Sequence, residues 1–116
     1  MRLSVTLLLA VGLIVLLAAP LAGQEALPRL TVVEPANGKA GDILTVTGEN
    51  LGKAIVAELY VTDSKTDWKA EMTEQSDTSI KFKIPGNVKP GRYKLMVLTK
   101  GKEPKLIEQP VRVEIE

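Results

Sequence analysis

Residues 78–84 alternate without a break, with Ile80, Phe82 and Ile84 on one side and Lys81 and Lys83 on the other. A period of two is the mark of a strand that buries one face. The pattern recurs along the chain. Residues 43–47 set Leu44 and Val46 against Thr45 and Thr47. Residues 93–99 set Tyr93, Leu95 and Val97 against Lys94, Met96 and Leu98, and residues 111–115 set Val111, Val113 and Ile115 against Arg112 and Glu114. Residues 55–62 divide into Ile55, Ala57, Leu59 and Val61 on one face and Val56, Glu58, Tyr60 and Thr62 on the other. Residues 67–72 carry Trp68, Ala70 and Met72 on one side. Leu30-Thr31-Val32-Val33 is short, mostly β-branched and ended by Pro35, so it reads as a first strand. Leu106-Ile107 begins the last strand, with Pro110 forcing a bulge or an edge position.

Between these runs lie clusters of turn residues. Asn37-Gly38-Lys39-Ala40-Gly41-Asp42 offers two glycines for positive φ. Gly48-Glu49-Asn50-Leu51-Gly52 is a second punctuated turn, with Leu51 as an apolar plug. Longer turns fall at residues 85–91 and 101–104. About seven strands with turns every 8–12 residues predict an all-β, immunoglobulin-like sandwich.

The N-terminus breaks this pattern. Arg2 is followed by a stretch, residues 3–22, free of Asp, Glu, Lys and Arg, closed by Pro20 and small residues. A basic start, an apolar middle and a small-residue end predict a helical signal peptide over residues 1–23, cut after Gly23 or Ala22. The competing reading is an uncleaved anchor, since about 20 apolar residues can span a bilayer. Leu21-Ala22-Gly23 resembles a lipoprotein signal, but Gln24 stands where the lipid-bearing Cys is needed. The expected organisation is therefore a signal peptide (1–23), a linker (24–29) and one sandwich domain (30–116), secreted to the periplasm or the outside.

Residues 35–52 resemble the opening of a known family: Pro35-x-x-Gly38-x-x-Gly41-Asp42-x-Leu44-Thr45-Val46-Thr47-Gly48-x-Asn50-Leu51-Gly52. Two later stretches fit it as well, Ser79-Ile80-Lys81-Phe82-Lys83-Ile84-Pro85 and Pro90-Gly91-Arg92-Tyr93-Lys94-Leu95-Met96-Val97. The family is the IPT/TIG domain, the immunoglobulin-like fold of plexins and transcription factors. The resemblance implies a fold more than an activity. Its bacterial members are often non-catalytic modules of cell-surface and carbohydrate-active proteins, which implies contact with a partner or a glycan. Tyr93 is placed to form a tyrosine corner, its hydroxyl bonding backbone upstream.

The chemistry available is narrow. The chain has no His and no Cys, which removes the common nucleophile–base pairs and zinc sites, and no Gly-rich phosphate loop leads into a helix. No catalytic residue, metal site or cofactor is expected. Asp63 and Asp67 flank a turn too poor in oxygen ligands for calcium and read as turn formers. Without Arg2, 14 basic and 14 acidic residues balance, so no overall charge draws the domain to nucleic acid. A membrane would be met only through the signal segment if it is kept.

Strand parity points to one surface. The strands of residues 55–62 and 93–99 are neighbours in an immunoglobulin-like sandwich. Their outward sets then bring Val56, Tyr60, Met96 and Leu98 together as an apolar face fit for a protein partner or self-association. The alternative is a carbohydrate-binding module using exposed Trp68 and Tyr60, although the alternation of Trp68 with Ala70 and Met72 points it toward the core or its rim.

Overall fold

A computed structural model describes residues 26–116; the signal peptide expected over residues 1–23 lies outside the described residues. The described chain forms eight strands: β1 (Arg29–Glu34), β2 (Asn37–Gly38), β3 (Ile43–Glu49), β4 (Val56–Thr62), β5 (Asp67–Gln75), β6 (Ser79–Lys83), β7 (Gly91–Thr99) and β8 (Leu106–Ile115). They pair in the order β1-β3-β6-β5-β4-β7-β8-β2. The fold is an all-β, immunoglobulin-like sandwich.

Two halves face each other because β5 serves both. Its first residues pair with β4, from Thr62↔Asp67 to Leu59↔Ala70. Its later residues pair with β6, from Glu71↔Lys83 to Gln75↔Ile80. A register shift between Met72 and Glu74 accompanies this change of partner, as bulges do where strands bend.

The alternation read from the sequence sorts the core. Leu44, Val46, Leu59, Val61, Ile80, Phe82, Ile84, Leu95, Val97, Val113 and Ile115 are buried, and Leu51 plugs one end. All the buried core residues described lie between Leu30 and Ile115 and form one apolar cluster. With no Cys to cross-link it, this core supplies the stability.

Two glutamines, the buried Gln109 and the half-buried Gln75, bind backbone rather than each other. Gln109, 4% exposed, accepts from the Leu30 N–H (2.9 Å) and donates to the Pro28 carbonyl (3.3 Å). It ties β8 to β1 across the open side. Gln75 donates to the carbonyls of Leu51 (2.8 Å) and Val56 (3.0 Å), bridging the ends of β5 and β4. Pro28 is buried and the Leu27 carbonyl accepts from Asn50 Nδ2 (3.0 Å), so residues 27–29 of the expected linker are held against the domain.

Two local readings change, and the bulge expected at Pro110 is present. The stretch expected as one turn over residues 37–42 begins as β2, a two-residue strand parallel to β8 through Asn37↔Glu114 and Gly38↔Ile115. Only Gly41 takes positive φ (91°); Gly38 is buried beside Ile84 and Leu44. The last strand runs unbroken from Leu106. Pro110 is absorbed where three β8 residues, Gln109 to Val111, oppose Leu95 alone between the pairs Met96↔Glu108 and Lys94↔Arg112.

Strands run from end to end, so the loops gather at two poles. The pole at which the described chain starts holds Leu27 and the loops of residues 50–55, 76–78 and 100–105. They are joined by backbone bonds of Leu51 N–H to Asp77 (2.9 Å) and of Lys100 N–H to Ile55 (2.9 Å).

Candidate interaction face

The outer face of β4, β7 and β8 carries the one surface singled out in the sequence, and backbone register decides its membership. Directly opposed residues share a face. Across the sheet the rows read Lys69–Tyr60–Met96–Glu108 and then Glu58–Leu98–Leu106. Tyr60, Met96 and Leu98 are half-buried, and Leu106 is 49% exposed. These four side chains make an apolar strip across three strands.

Val56 does not belong to it. Strict alternation put Val56 on the face of Tyr60, but the β4–β7 register shifts between Val56 and Glu58. That shift breaks the parity of β4 and turns Val56 into the core, where it is 1% exposed. Leu106 takes its place on the surface at the other edge. The signal was in the strand begun at Leu106-Ile107, where Leu106 shares the outward parity of Glu108 and Arg112.

Ion pairs flank the strip. Lys69 Nζ lies 3.1 Å from Glu58 Oε1, and Lys94 Nζ lies 3.3 Å from Glu108 Oε1. The Tyr60 hydroxyl donates to Glu58 Oε2. That hydrogen bond, followed by the one from Lys69, holds the Glu58 carboxyl below its ordinary 4.5. The same bond to Glu58, with some burial, holds the Tyr60 hydroxyl above its ordinary 10.0. Tyr60 is thereby fixed as a neutral, oriented donor in the middle of the face.

Trp68 and Tyr60 do not form one platform. Trp68 opposes Val61, which points inward, whereas Tyr60 opposes Lys69 on the outside. The half-buried indole packs edge-on against Tyr93, with ring centroids 5.7 Å apart and planes at 85°. Tyr93 donates its hydroxyl to the Lys89 carbonyl at 2.6 Å, closing the tyrosine corner. The aromatic pair expected for sugar stacking is split between the two faces of the sheet.

The two turn aspartates are spent on backbone and hydroxyl. Asp63 Oδ1 accepts from the N–H groups of Thr66 (2.7 Å) and Lys65 (2.8 Å), which lowers its pKa. Asp67 Oδ1 accepts from Thr62 Oγ1 (2.7 Å). Among the described residues no group of three or more acidic side chains gathers as a metal site.

Fold and surface thus define an immunoglobulin-like sandwich of the kind built around a tyrosine corner. The chain belongs to the IPT/TIG domain family, whose model matches residues 28–113. No curated protein sequence matches it. Among solved structures, a Bacteroides thetaiotaomicron protein of unknown function is similar with a TM-score of 0.66 at 17% identity, over 79% of this chain and 22% of its own. Auxiliary nutrient binding proteins from Bacteroides ovatus (TM-score 0.57, 18% identity) and Bacteroides thetaiotaomicron (0.57, 19%) are similar over 79% of this chain and 21% of theirs. At such identities the likeness is one of fold, and the chain spans about a fifth of the length of those structures.

Proposed function

We propose that the domain is a non-catalytic binding module of the cell envelope and that it grips a protein through Tyr60, Met96, Leu98 and Leu106. The observation that carries this is the make-up of the outer face: an apolar strip across β4, β7 and β8 whose charged neighbours are already paired. An apolar centre inside a polar rim is the anatomy of a protein interface, and a central Tyr is a common anchor there. Full burial of such side chains contributes roughly 1.5–3 kcal/mol each. The absence of His and Cys from the sequence supports a non-enzymatic role. A periplasmic or extracellular setting is supported by the order of basic, apolar and small residues over residues 1–23, and by the fold shared with parts of nutrient binding proteins.

The test is made on residues 24–116 with wild type, Leu98→Glu and, as a control on another face, Lys83→Glu. Sedimentation of the three reads self-association, and affinity capture from envelope extract reads a protein partner. Association or capture lost in Leu98→Glu and kept in Lys83→Glu is the expected result. Equal behaviour of all three removes the face. Binding to a glycan array that survives Leu98→Glu would instead give the module to carbohydrate.

A further inference from the structure

Composition averages charge over the whole surface, but the fold sorts it. At the pole where the described chain begins, Lys53, Lys100, Lys102 and Lys105 are all exposed. Among the described residues none of the four has a carboxylate within ion-pair distance. Among the described residues the acidic side chains of this pole are Glu103, Asp77 beside Gly52, and Glu49, which opposes Arg29 in the β1–β3 register. A groove of about 560 Å³ runs between Leu27, Ile55, Lys100, Lys102, Glu103 and Lys105, so three lysines share it with one carboxylate.

The lysines stand on an ordered hairpin. Thr99 exchanges two bonds with Lys105: its N–H reaches the Lys105 carbonyl at 2.9 Å, and its Oγ1 accepts from the Lys105 N–H at 2.8 Å. The Lys100 N–H is held by the Ile55 carbonyl (2.9 Å), and Gly101 turns the loop at φ 122°. Leu27, 56% exposed, offers an apolar side chain at the same groove.

Position along the chain says which anion this pole meets. The uncharged apolar run of the sequence ends at Ala22, and four peptide links later Ala26 lines the groove. Four links reach about 14 Å at full extension. Where that run is kept as an anchor in a bilayer, Ala26 and the groove it lines are held within about 14 Å of its end, close enough for exposed lysines to feel an anionic surface that is screened over about 8 Å. We infer that this pole is a docking surface for anionic lipid headgroups, with the groove of Lys100, Lys102 and Lys105 seating the phosphates and Leu27 reaching the interface. The strands then stand away from the membrane, and the face of Tyr60 and Leu98 points sideways, open to a partner.

The absence of Cys and the wealth of lysine make the test direct. Residues 24–116 are tethered by an N-terminal His tag to vesicles carrying a nickel-chelating lipid, and lysines are modified by an amine-reactive reagent and read by mass spectrometry. On vesicles containing phosphatidylglycerol, Lys53, Lys100, Lys102 and Lys105 should react about fivefold more slowly than on phosphatidylcholine alone. That factor corresponds to about 1 kcal/mol per lysine near an anionic surface. Lys39, Lys65 and Lys89 at the far pole should be unchanged, and high salt should abolish the difference. Lys53 should lose its protection in a Lys100→Glu/Lys102→Glu/Lys105→Glu variant. Equal reactivity on both vesicles overturns the inference. So does protection by a soluble acidic polysaccharide with none from the vesicles, which would assign the lysines to a different polyanion. Neither outcome bears on the Tyr60 face, whose test uses no lipid.

Discussion

Single residues decide where this surface is sticky and where it is shielded. Glu58 is the clearest case, held between Tyr60 and Lys69 with its carboxyl below 4.5. A depressed folded pKa favours the folded state above the unfolded value, and that contribution fades as pH falls through the folded one. In an NMR titration of the Glu58 side-chain carboxyl, the midpoint should lie below 4.5 in wild type and move up toward it in Tyr60→Phe, because the hydroxyl is the largest cause of the shift. A midpoint that ignores the substitution would leave Lys69 as the sole cause. Gly48 acts differently, through space: a Cβ there would fall on the carbonyl oxygen of Arg29, so β1 approaches β3 only because the side chain is missing.

At the scale of elements, the stability of β1 depends on a residue 79 positions away. Gln109 of β8 takes the Leu30 N–H, and its amide meets the Pro28 carbonyl. Leaving buried polar groups unpaired costs about 1–3 kcal/mol. Gln109→Leu should therefore lower unfolding stability in denaturant by that order and speed amide exchange at Leu30. Unchanged stability with Leu30 still protected would mean that β3 alone holds β1. Strand β4 makes the same point about function. Its register shift against β7 after Val56 gives a side chain to the core and removes it from the candidate face.

For the whole molecule, one apolar core must do what disulfides do in many secreted domains of this size. Phe82 is its largest fully buried side chain. Truncating a buried Phe costs about 3–5 kcal/mol, a large part of the 5–15 kcal/mol typical of a domain. Phe82→Ala should accordingly leave residues 24–116 partly unfolded at moderate temperature by circular dichroism, whereas Lys83→Ala, one residue on and exposed, should melt as wild type does. A Phe82→Ala domain as stable as wild type would mean that the sandwich closes over the gap.

The sequence by itself determined the strands, the core and the family, because a period of two and a set of turn residues are local properties that survive without neighbours. Leu44, Val46, Ile80, Phe82 and Leu95 are buried where alternation put them, and Tyr93 closes its corner. Only the tertiary structure decided the rest. A bulge shifts side-chain parity without leaving a mark in the residue pattern, so Val56 went inward. Cross-strand register carried Leu106 onto the strip beside Leu98, whereas the split of Tyr60 from Trp68 follows the alternation already read in their strands. The charge of residues 24–116 was legible as balanced, but Lys53 and Lys105 come to one pole only when the loops of residues 50–55 and 100–105 meet, since proximity between distant residues is a product of folding and not of order along the chain.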